Sequence, residues 1–309
     1  MPGHLAMDLA PIVLFVYNRP WHTEQTLKAL AANALAGQSV LYIFADGPKA
    51  DATAETITQI KEVRKIIRAE KWCSRVNIVE SDVNRGLANS IINGVTTVVN
   101  QFGSVIVLED DLITHPFFLT YMNHYLKVYQ HENQVISIYG YQYPVKKKIE
   151  APFFLKGADC WGWATWKRGW DLFEANGKLL LSELLRRNLS KEFNFDNSYD
   201  FTSLLRAQVK GEVDSWAIRW YASAFLLNKL TLYPPVTLIK NIGFDGSGTH
   251  GDNINVDLNT MHFDSFELKT VDISENKKNK KQIELFFKGS PSPIKNAIKK
   301  IISRYVRKD

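Results

Sequence analysis

Three adjacent carboxylates, Glu109, Asp110 and Asp111, form an acidic triplet. The triplet follows the apolar run Val105–Leu108 and precedes a helical pattern at residues 116–129. Carboxylates this close repel one another, so a compensating cation is expected beside them. Mg²⁺ or Mn²⁺ prefers oxygen ligands and commonly takes one or two carboxylates together with a substrate's phosphate oxygens. The alternative is that the acids cap the next helix or lie in solvent, but the buried strand before them favours a metal site.

Asp46 and two arginines are further candidates for ligand contacts. Asp46 ends an apolar run, where a carboxylate can accept the imide N–H of uracil or bind a ribose hydroxyl. Its alternative role is to form the turn of Ala-Asp-Gly-Pro. Arg19 and Arg85 suit phosphate contacts, because the guanidinium fork matches phosphate oxygens and stays charged. Ordinary surface arginines are the alternative for both.

The elements that position these residues alternate between strand and helix up to about residue 140. Continuous apolar runs at Ile12–Tyr17, Val40–Ala45 and Val105–Leu108 predict buried strands, and residues at helical spacing separate them. This alternation indicates an α/β fold with a mostly parallel sheet covered on both faces by helices. Ligands of such sheets bind beyond the carboxyl ends of the strands, where Arg19, Asp46 and the acidic triplet fall.

Positive charge is concentrated near the C-terminal end. The formal net charge is +6, and from Lys277 onward eleven Lys and Arg stand against two acids, a balance of +9 that leaves about −3 for residues 1–276. A uniformly basic nucleic-acid-binding surface is therefore not expected. Cys73 and Cys160 show neither disulfide-scaffold nor zinc-site spacing. We expect a cytoplasmic protein, because no signal peptide or membrane-spanning segment is evident.

Residues 293–307 have the pattern of a basic amphipathic helix. Apolar side chains recur at helical spacing from Ile294 to Val306, and Lys or Arg takes the positions between them. Such a helix can lie on an anionic membrane, with each basic residue contributing about 1 kcal/mol. The alternative is a helix that docks on the rest of the protein with a solvated basic face.

Several segments resemble N-acetylglucosaminyltransferase I and its relatives in order and spacing: Phe15–Pro20, Phe44–Gly47, Val105–Leu112, the following Pro-Phe-Phe at 116–118, and Val135–Gly140. The acidic triplet with the downstream Pro-Phe-Phe is the most discriminating part. The chain is also similar to a broad bacterial family of cytoplasmic inverting sugar transferases. The likeness covers roughly residues 11–255 and implies a GT-A type fold, Rossmann-like, with a mixed acceptor-side C-terminal half.

This resemblance implies a role for each matched residue: Asp111 ligates the metal, Glu109 and Asp110 contact the sugar and ribose of the donor, Asp46 reads uracil, and Arg19 binds near the nucleotide. UDP is then the leaving group. Trp163 belongs to a glycine and aromatic segment, 155–163, that would pack on the sugar and acceptor. His250 lies in the 246–251 segment that would close over the donor, either as an added metal ligand or as a simple polar contact.

The resemblance also points to a catalytic base in Val213–Arg219. The family has two consecutive acids before a Trp, whereas here the second position is Ser215, so Asp214 is the candidate. The alternative is that Asp214 caps a helix beginning at Trp216.

We therefore predict a nucleotide-sugar-binding half at 1–140, an acceptor-binding and catalytic half at 141–275, and a basic linker with an amphipathic helix at 276–309. The predicted activity is a metal-dependent, inverting transfer of N-acetylglucosamine or a related hexose from a UDP-sugar, in bacterial surface polysaccharide synthesis. The expected acceptor is a glycan or lipid-linked glycan, with a peripheral contact to an anionic membrane through the C-terminal helix.

Two alternatives remain from the sequence. A nucleotidyltransferase that makes nucleotide sugars would need a glycine-rich phosphate loop after the first strand, where this chain has Tyr17–Pro20. A non-enzymatic module that binds membranes or polyanions would depend on the basic C-terminal segment.

Overall fold

The computed structural model describes residues 9–243 and 265–289. Within these ranges the strands are β1 (Ile12–Val16), β2 (Val40–Ala45), β3 (Arg75–Glu80), β4 (Ser104–Glu109), β5 (Leu112–Thr114), β6 (Val135–Tyr139), β7 (Phe153–Lys156), β8 (Trp163–Trp166), β9 (Leu230–Tyr233) and β10 (Ile239–Asn241). The helices are α1 (Pro20–Ala31), α2 (Ala54–Ala69), α3 (Leu87–Phe102), α4 (Phe118–Val128), α5 (Lys167–Trp170), α6 (Gly177–Arg186), α7 (Ser190–Phe193), α8 (Phe201–Lys210), α9 (Trp216–Leu226) and α10 (Lys277–Gly289), with a 3₁₀ turn at Ala36–Gln38.

Local sequence explains where the first helices begin and end. Helix α2 begins after Thr53, whose side-chain oxygen accepts a hydrogen bond from the backbone N–H of Thr56. Helix α3 ends at Gly103, which has φ 79° and closes the helix in the left-handed region that glycine adopts without strain. The helical spacing of apolar residues predicts these helices at 53–70 and 87–100, which agrees with the structure to within two residues at each end.

The first half of the chain forms the parallel part of an eight-stranded sheet. Strands β3, β2, β1 and β4 lie side by side in that order, and every pairing between them is parallel. All five residues of β1 are buried, which requires cover on both faces of the sheet. The structure therefore confirms the predicted α/β fold with a mostly parallel sheet.

The second half of the chain extends the same sheet and makes it mixed. Strand β8 lies antiparallel between β4 and β6, β9 is parallel to β6, and β7 forms the antiparallel edge. Strands β5 and β10 pair separately as a two-stranded antiparallel sheet. The predicted mixed C-terminal half is confirmed, and both halves contribute to one sheet; the division at residue 140 stays a prediction.

The start of the segment predicted as a basic linker, residues 277–281, forms the first turns of α10. The lysine-rich start of this helix resembles a linker, but Ile283 and Phe287, one helical turn apart, are fully buried in the core. The predicted amphipathic segment at 293–307 lies outside the described residues. Among the helices that are described, none is long and apolar enough to cross a membrane.

Candidate active site

Arg19, Asp46 and the acidic triplet lie together where β1 and β4 end. Strand order runs outward from β1 to β2 and β3 on one side, and continues to β4 on the other. In open α/β sheets a ligand binds at such a switch point, beyond the carboxyl ends of the strands. The register pairs Phe15 with Glu109, so the chain after β1 and the acidic triplet leave the sheet side by side. Asp46 adjoins them, because its N–H donates to the carbonyl of Val16 at 3.1 Å.

Arg19 forms a salt bridge with two acids of the triplet. Its Nε donates to Asp110 Oδ2 at 3.2 Å, its Nη2 bonds Asp110 Oδ1, and the same nitrogen lies 3.1 Å from Asp111 Oδ2. Burial would lower the pKa of Arg19, but the nearby charges of Asp110 and Asp111 raise it well above its usual value. Arg19 is thus held as a cation at the acids, and it supplies part of the charge compensation that the sequence predicted.

The acidic triplet is buried, which contradicts the alternative that it lies in solvent. Glu109, Asp110 and Asp111 are 7%, 6% and 0% exposed. The capping alternative is also wrong, because the triplet leads directly into β5 and the next helix, α4, begins at Phe118 with no side-chain cap. Buried carboxylates need charged or hydrogen-bonding partners, and Arg19 provides one for Asp110 and Asp111.

The chemistry of the triplet fits a hard divalent cation that binds together with phosphate. Three carboxylates and one guanidinium leave a formal charge of −2 at this point of the site. In the described ranges no group of three or more His, Cys, Asp or Glu side chains is arranged to hold a metal on its own. Mg²⁺ and Mn²⁺ often take only one or two carboxylates and complete their shells with water and phosphate oxygens. The carboxylates of the triplet suit a metal ion that is held by one or two of them together with water and phosphate oxygens.

Asp46 anchors the loop that precedes α3. Its Oδ1 accepts hydrogen bonds from the N–H groups of Gly47 and Arg85, both at 2.9 Å, and its Oδ2 accepts from Gly86 N and Asn84 Nδ2, both at 3.0 Å. Four donors use the usual acceptor capacity of a carboxylate. The structure therefore assigns Asp46 to positioning this loop, which includes the turn-forming role that the sequence left open.

The side chain of Arg85 lies on the surface of this loop. Its Nε donates to Ser81 Oγ at 3.1 Å, and the residue is exposed. The loop packs tightly against the turn after β2: a Cβ on Gly47 would approach the carbonyl oxygen of Ser81 to 2.6 Å. Glycine is required there by close approach of two backbones.

Tyr17 is a site residue that the sequence prediction missed. Burial raises the pKa of its hydroxyl, and the negative charge of Asp46 raises it further. Its position between β1 and Arg19 was a signal, because the residue that ends a central strand lies at the ligand-binding edge.

Asp214 precedes α9 but does not cap it. The N-cap is Ser215, whose hydroxyl accepts from Ile218 N at 3.3 Å, so the capping alternative for Asp214 is wrong. The Asp214 side chain is 47% exposed, and Arg219 Nη2 lies 3.1 Å from its Oδ1. Helix α9 is followed by β9, which is parallel to β6. Strand β6 runs in the same direction as β4, because both are antiparallel to β8. A helix that leads into a strand of this direction begins near the carboxyl ends of the strands. The start of α9 therefore lies toward the same sheet edge as the acidic triplet.

Trp163 is packed in the core. It is 1% exposed and packs with Trp216 and Trp220 at ring-centroid distances of 5.5 and 5.6 Å. A ligand could reach the ring from this packing only if the core rearranged, and the contact with the sugar stays a prediction. His250 lies outside the described residues.

No family model matches the chain, and no curated protein does. Among solved structures, TarS of S. aureus aligns at 12% identity over 42% of this chain and 21% of its own, with a TM-score of 0.29. UDP-glucose pyrophosphorylase in complex with UDP-glucose aligns at 14% identity over 57% and 80%, with a TM-score of 0.31. Glucosyl-3-phosphoglycerate synthase of Mycobacterium tuberculosis, in complex with Mn²⁺, UDP and phosphoglyceric acid, aligns at 11% over 58% and 64%, with a TM-score of 0.32.

The chain therefore spans about a fifth of the TarS chain and under two thirds of the mycobacterial synthase. All three TM-scores are low, and none of these proteins is N-acetylglucosaminyltransferase I. We base the functional assignment on the side chains of the site.

Proposed function

We propose that this protein is a GT-A type glycosyltransferase that transfers a sugar from a UDP donor to a hydroxyl group of a glycan or lipid-linked glycan. The observation that carries the proposal is the buried acidic triplet, paired with Arg19 at the switch point between β1 and β4. A nucleotide diphosphate at that edge would find a fixed cation, Arg19, and carboxylates suited to a metal ion. The resemblance of the triplet and its flanking segments to inverting sugar transferases supports the same conclusion.

In this proposal the diphosphate is the leaving group and the triplet binds its counter-ion. Asp111 would hold Mn²⁺ or Mg²⁺, and Asp110 beside it would contact the ribose of the donor. Such an ion stabilises negative charge that develops on the departing diphosphate. Arg19 bridges the two acids in the structure and stays charged, so it can contribute a second positive group at the phosphates. Glu109 would contact the donor sugar.

Asp214 is the proposed general base. Its carboxylate is half exposed and oriented by Arg219, so an acceptor hydroxyl can reach it, and Ser215 leaves it without a capping role. Removal of the hydroxyl proton as the new bond forms would contribute roughly 10²- to 10⁴-fold to the rate. Attack from the side opposite the diphosphate would invert the anomeric carbon.

The proposal is tested by the thermal stability of the full chain against a panel of nucleotide sugars, with and without Mn²⁺. A true donor binds only the folded state and raises the melting temperature, and it should do so more in the presence of the metal. Release of pyrophosphate from UTP and a sugar phosphate would instead identify a nucleotidyltransferase.

Turnover of the donor found in this way tests the role of the triplet. Asp111→Asn keeps the shape of the side chain and removes its charge, so turnover should fall by roughly 100-fold or more while the fold is retained. Asp171→Asn is the matched control, because Asp171 is an exposed acid that forms a surface ion pair with Lys167. Unchanged turnover in Asp111→Asn, or full activity in EDTA, would remove the metal from the mechanism.

A further inference from the structure

Helix α10 presents a basic face to solvent. Its exposed side chains share one side of the helix and are four lysines and a leucine: Lys277, Lys278, Lys281, Leu285 and Lys288. The one acid of the helix, Glu284, is 3% exposed and accepts a hydrogen bond from Lys281 at 2.9 Å. The exposed side of α10 therefore carries charge of a single sign.

Helix α10 is docked so that this basic face points away from the protein. Ile283 and Phe287 on the opposite side are fully buried. Lys280 also lies on the inner side, 3.6 Å from a carboxylate oxygen of Asp196, with 13% of its side chain exposed. The basic face is thus a surface of the folded protein whose orientation is set by packing.

Leu285 lies among the lysines of this face and is 59% exposed. Lys281 is one turn before it and Lys288 one turn after it on the same side. Helices that lie on anionic bilayers combine these features, because lysines meet the lipid phosphates while the apolar side chain enters the outer part of the acyl region. A soluble polyanion would engage the lysines but would offer no apolar phase to Leu285, so the leucine favours a lipid surface.

A second group of lysines continues the basic surface beside α10. The range 146–148 is three consecutive exposed lysines in the loop between β6 and β7, against one exposed acid, Glu150. The start of this loop contacts the helix, with the rings of Tyr143 and Phe286 5.9 Å apart. Together with the four exposed lysines of α10, this makes a cluster of the size that binds anionic lipid.

Helix α2 shows the usual form of a solvated face in this protein. Its exposed charged residues have both signs: Glu55, Lys61, Glu62, Lys65 and Arg68. Lys65 and Glu62 pair across one turn at 3.2 Å. Mixed charges suit contact with water, whereas a field of one sign attracts a surface of opposite charge. The basic face of α10 has the second property.

We propose that the basic face of α10, together with the 146–148 loop, binds the surface of an anionic lipid bilayer. The inference goes beyond the proposed transferase activity and does not depend on it. The surface is also separate from the amphipathic pattern at 293–307. The 146–148 loop follows β6, which runs in the direction of β4, so it leaves the sheet at the edge where the acidic triplet follows β4. If the proposed function holds, a lipid-linked acceptor would lie close to the donor site.

Co-sedimentation of the full chain with lipid vesicles tests this contact. Vesicles of equal parts phosphatidylcholine and phosphatidylglycerol should bind the wild type, and phosphatidylcholine alone should bind it far more weakly. The triple variant Lys277→Gln, Lys278→Gln, Lys288→Gln should bind the anionic vesicles roughly 100-fold more weakly, because each lysine near an anionic surface contributes about fivefold. These three side chains lie in solvent, so the melting temperature should be unchanged.

The matched control removes the same charge from the far end of the sheet. Lys61→Gln, Lys65→Gln and Lys71→Gln change exposed lysines in or just after α2. Helix α2 lies by the edge strand β3, as the 2.8 Å hydrogen bond from Arg68 to Glu80 shows, whereas α10 adjoins the opposite edge strand, β7. The control should bind like the wild type. Equal losses in the two triple variants would show that net charge, and not the basic face, drives binding.

Leu285→Ala separates a lipid surface from a soluble polyanion. It should weaken vesicle binding by about tenfold, because apolar groups that enter the bilayer are removed, and it should leave binding to polyphosphate unchanged. The proposal is overturned if the wild type does not bind anionic vesicles, if the α10 triple variant binds them like the wild type, or if Leu285→Ala has no effect on them. The assay contains no nucleotide, so its outcome is independent of donor binding.

Discussion

Asp46 connects the end of β2 to the start of α3 through a single carboxylate. Replacing it with Ala removes the acceptor for four donors, three of them backbone N–H groups. We expect Asp46→Ala to lower the free energy of unfolding by about 1–3 kcal/mol and to weaken UDP binding, since the loop loses its anchor. Urea denaturation and calorimetry measure the two effects.

The matched control for Asp46 is Asp82→Ala. Asp82 is an exposed acid in the loop that Asp46 anchors, so its removal should change stability by no more than about 0.5 kcal/mol. Wild-type stability in Asp46→Ala would show that the four hydrogen bonds do not hold the loop.

Asp159 should give the protein a distinct dependence of stability on pH. Its pKa rises from 3.8 to about 6 on folding, chiefly through burial. Between these values the folded state binds more protons than the unfolded state, so stability declines as the pH rises from about 4 to about 6. Asp159→Asn should abolish this decline and be more stable at pH 7.5 by on the order of 1–2 kcal/mol. Urea unfolding across this pH range checks it; an equal slope in both proteins would contradict the assignment.

The sequence identifies some site residues better than others. The acidic triplet stands out because adjacent charges after an apolar strand are unusual, and its neighbours in the chain define its position. The pairing of Arg19 with Asp110 joins residues 91 positions apart, which local pattern does not reveal. Trp163 is harder to interpret: an aromatic residue suits a core and a sugar-binding surface equally, and only the fold places it among other tryptophans.

At the scale of elements, helix α10 packs on residues 195–197, three consecutive non-glycine residues with positive φ, through the contact of Phe287 with Phe195. Phe287 is fully buried there, whereas Leu285 on the same helix is 59% exposed. Phe287→Ala should lower the free energy of unfolding by about 3–5 kcal/mol, because it leaves a large cavity. Leu285→Ala removes a similar apolar side chain at the surface and should cost less than about 0.5 kcal/mol. Equal effects of the two variants in urea denaturation would show that α10 does not dock as described.

Predictability of the elements follows their burial pattern. Strands β1, β2 and β4 are continuous apolar runs, so they are recognised from the sequence. Strands β7 and β8, four residues each, lie in an aromatic-rich region where helix and strand periods are not distinguishable. Helix α10 is not recognised from the sequence because its first turns consist of Lys, Asn and Gln, and its three buried residues, Ile283, Glu284 and Phe287, follow only later.

At the scale of the whole molecule, antiparallel β8 joins the two halves into one sheet. It pairs with β4 on one side and β6 on the other, and it begins beside the end of β4, where the acidic triplet follows. This arrangement is not readable from the chain order, because β6 and β7 both precede β8 in sequence.

A crystal grown with UDP and MnCl₂ tests the central claim most directly, through an anomalous difference map at the manganese absorption edge. The account predicts one manganese peak at bonding distance from an Asp111 carboxylate oxygen, with the UDP diphosphate completing the metal's ligands and Arg19 beside it. UDP bound at this edge without manganese, or manganese and nucleotide bound elsewhere in the molecule, would contradict the account.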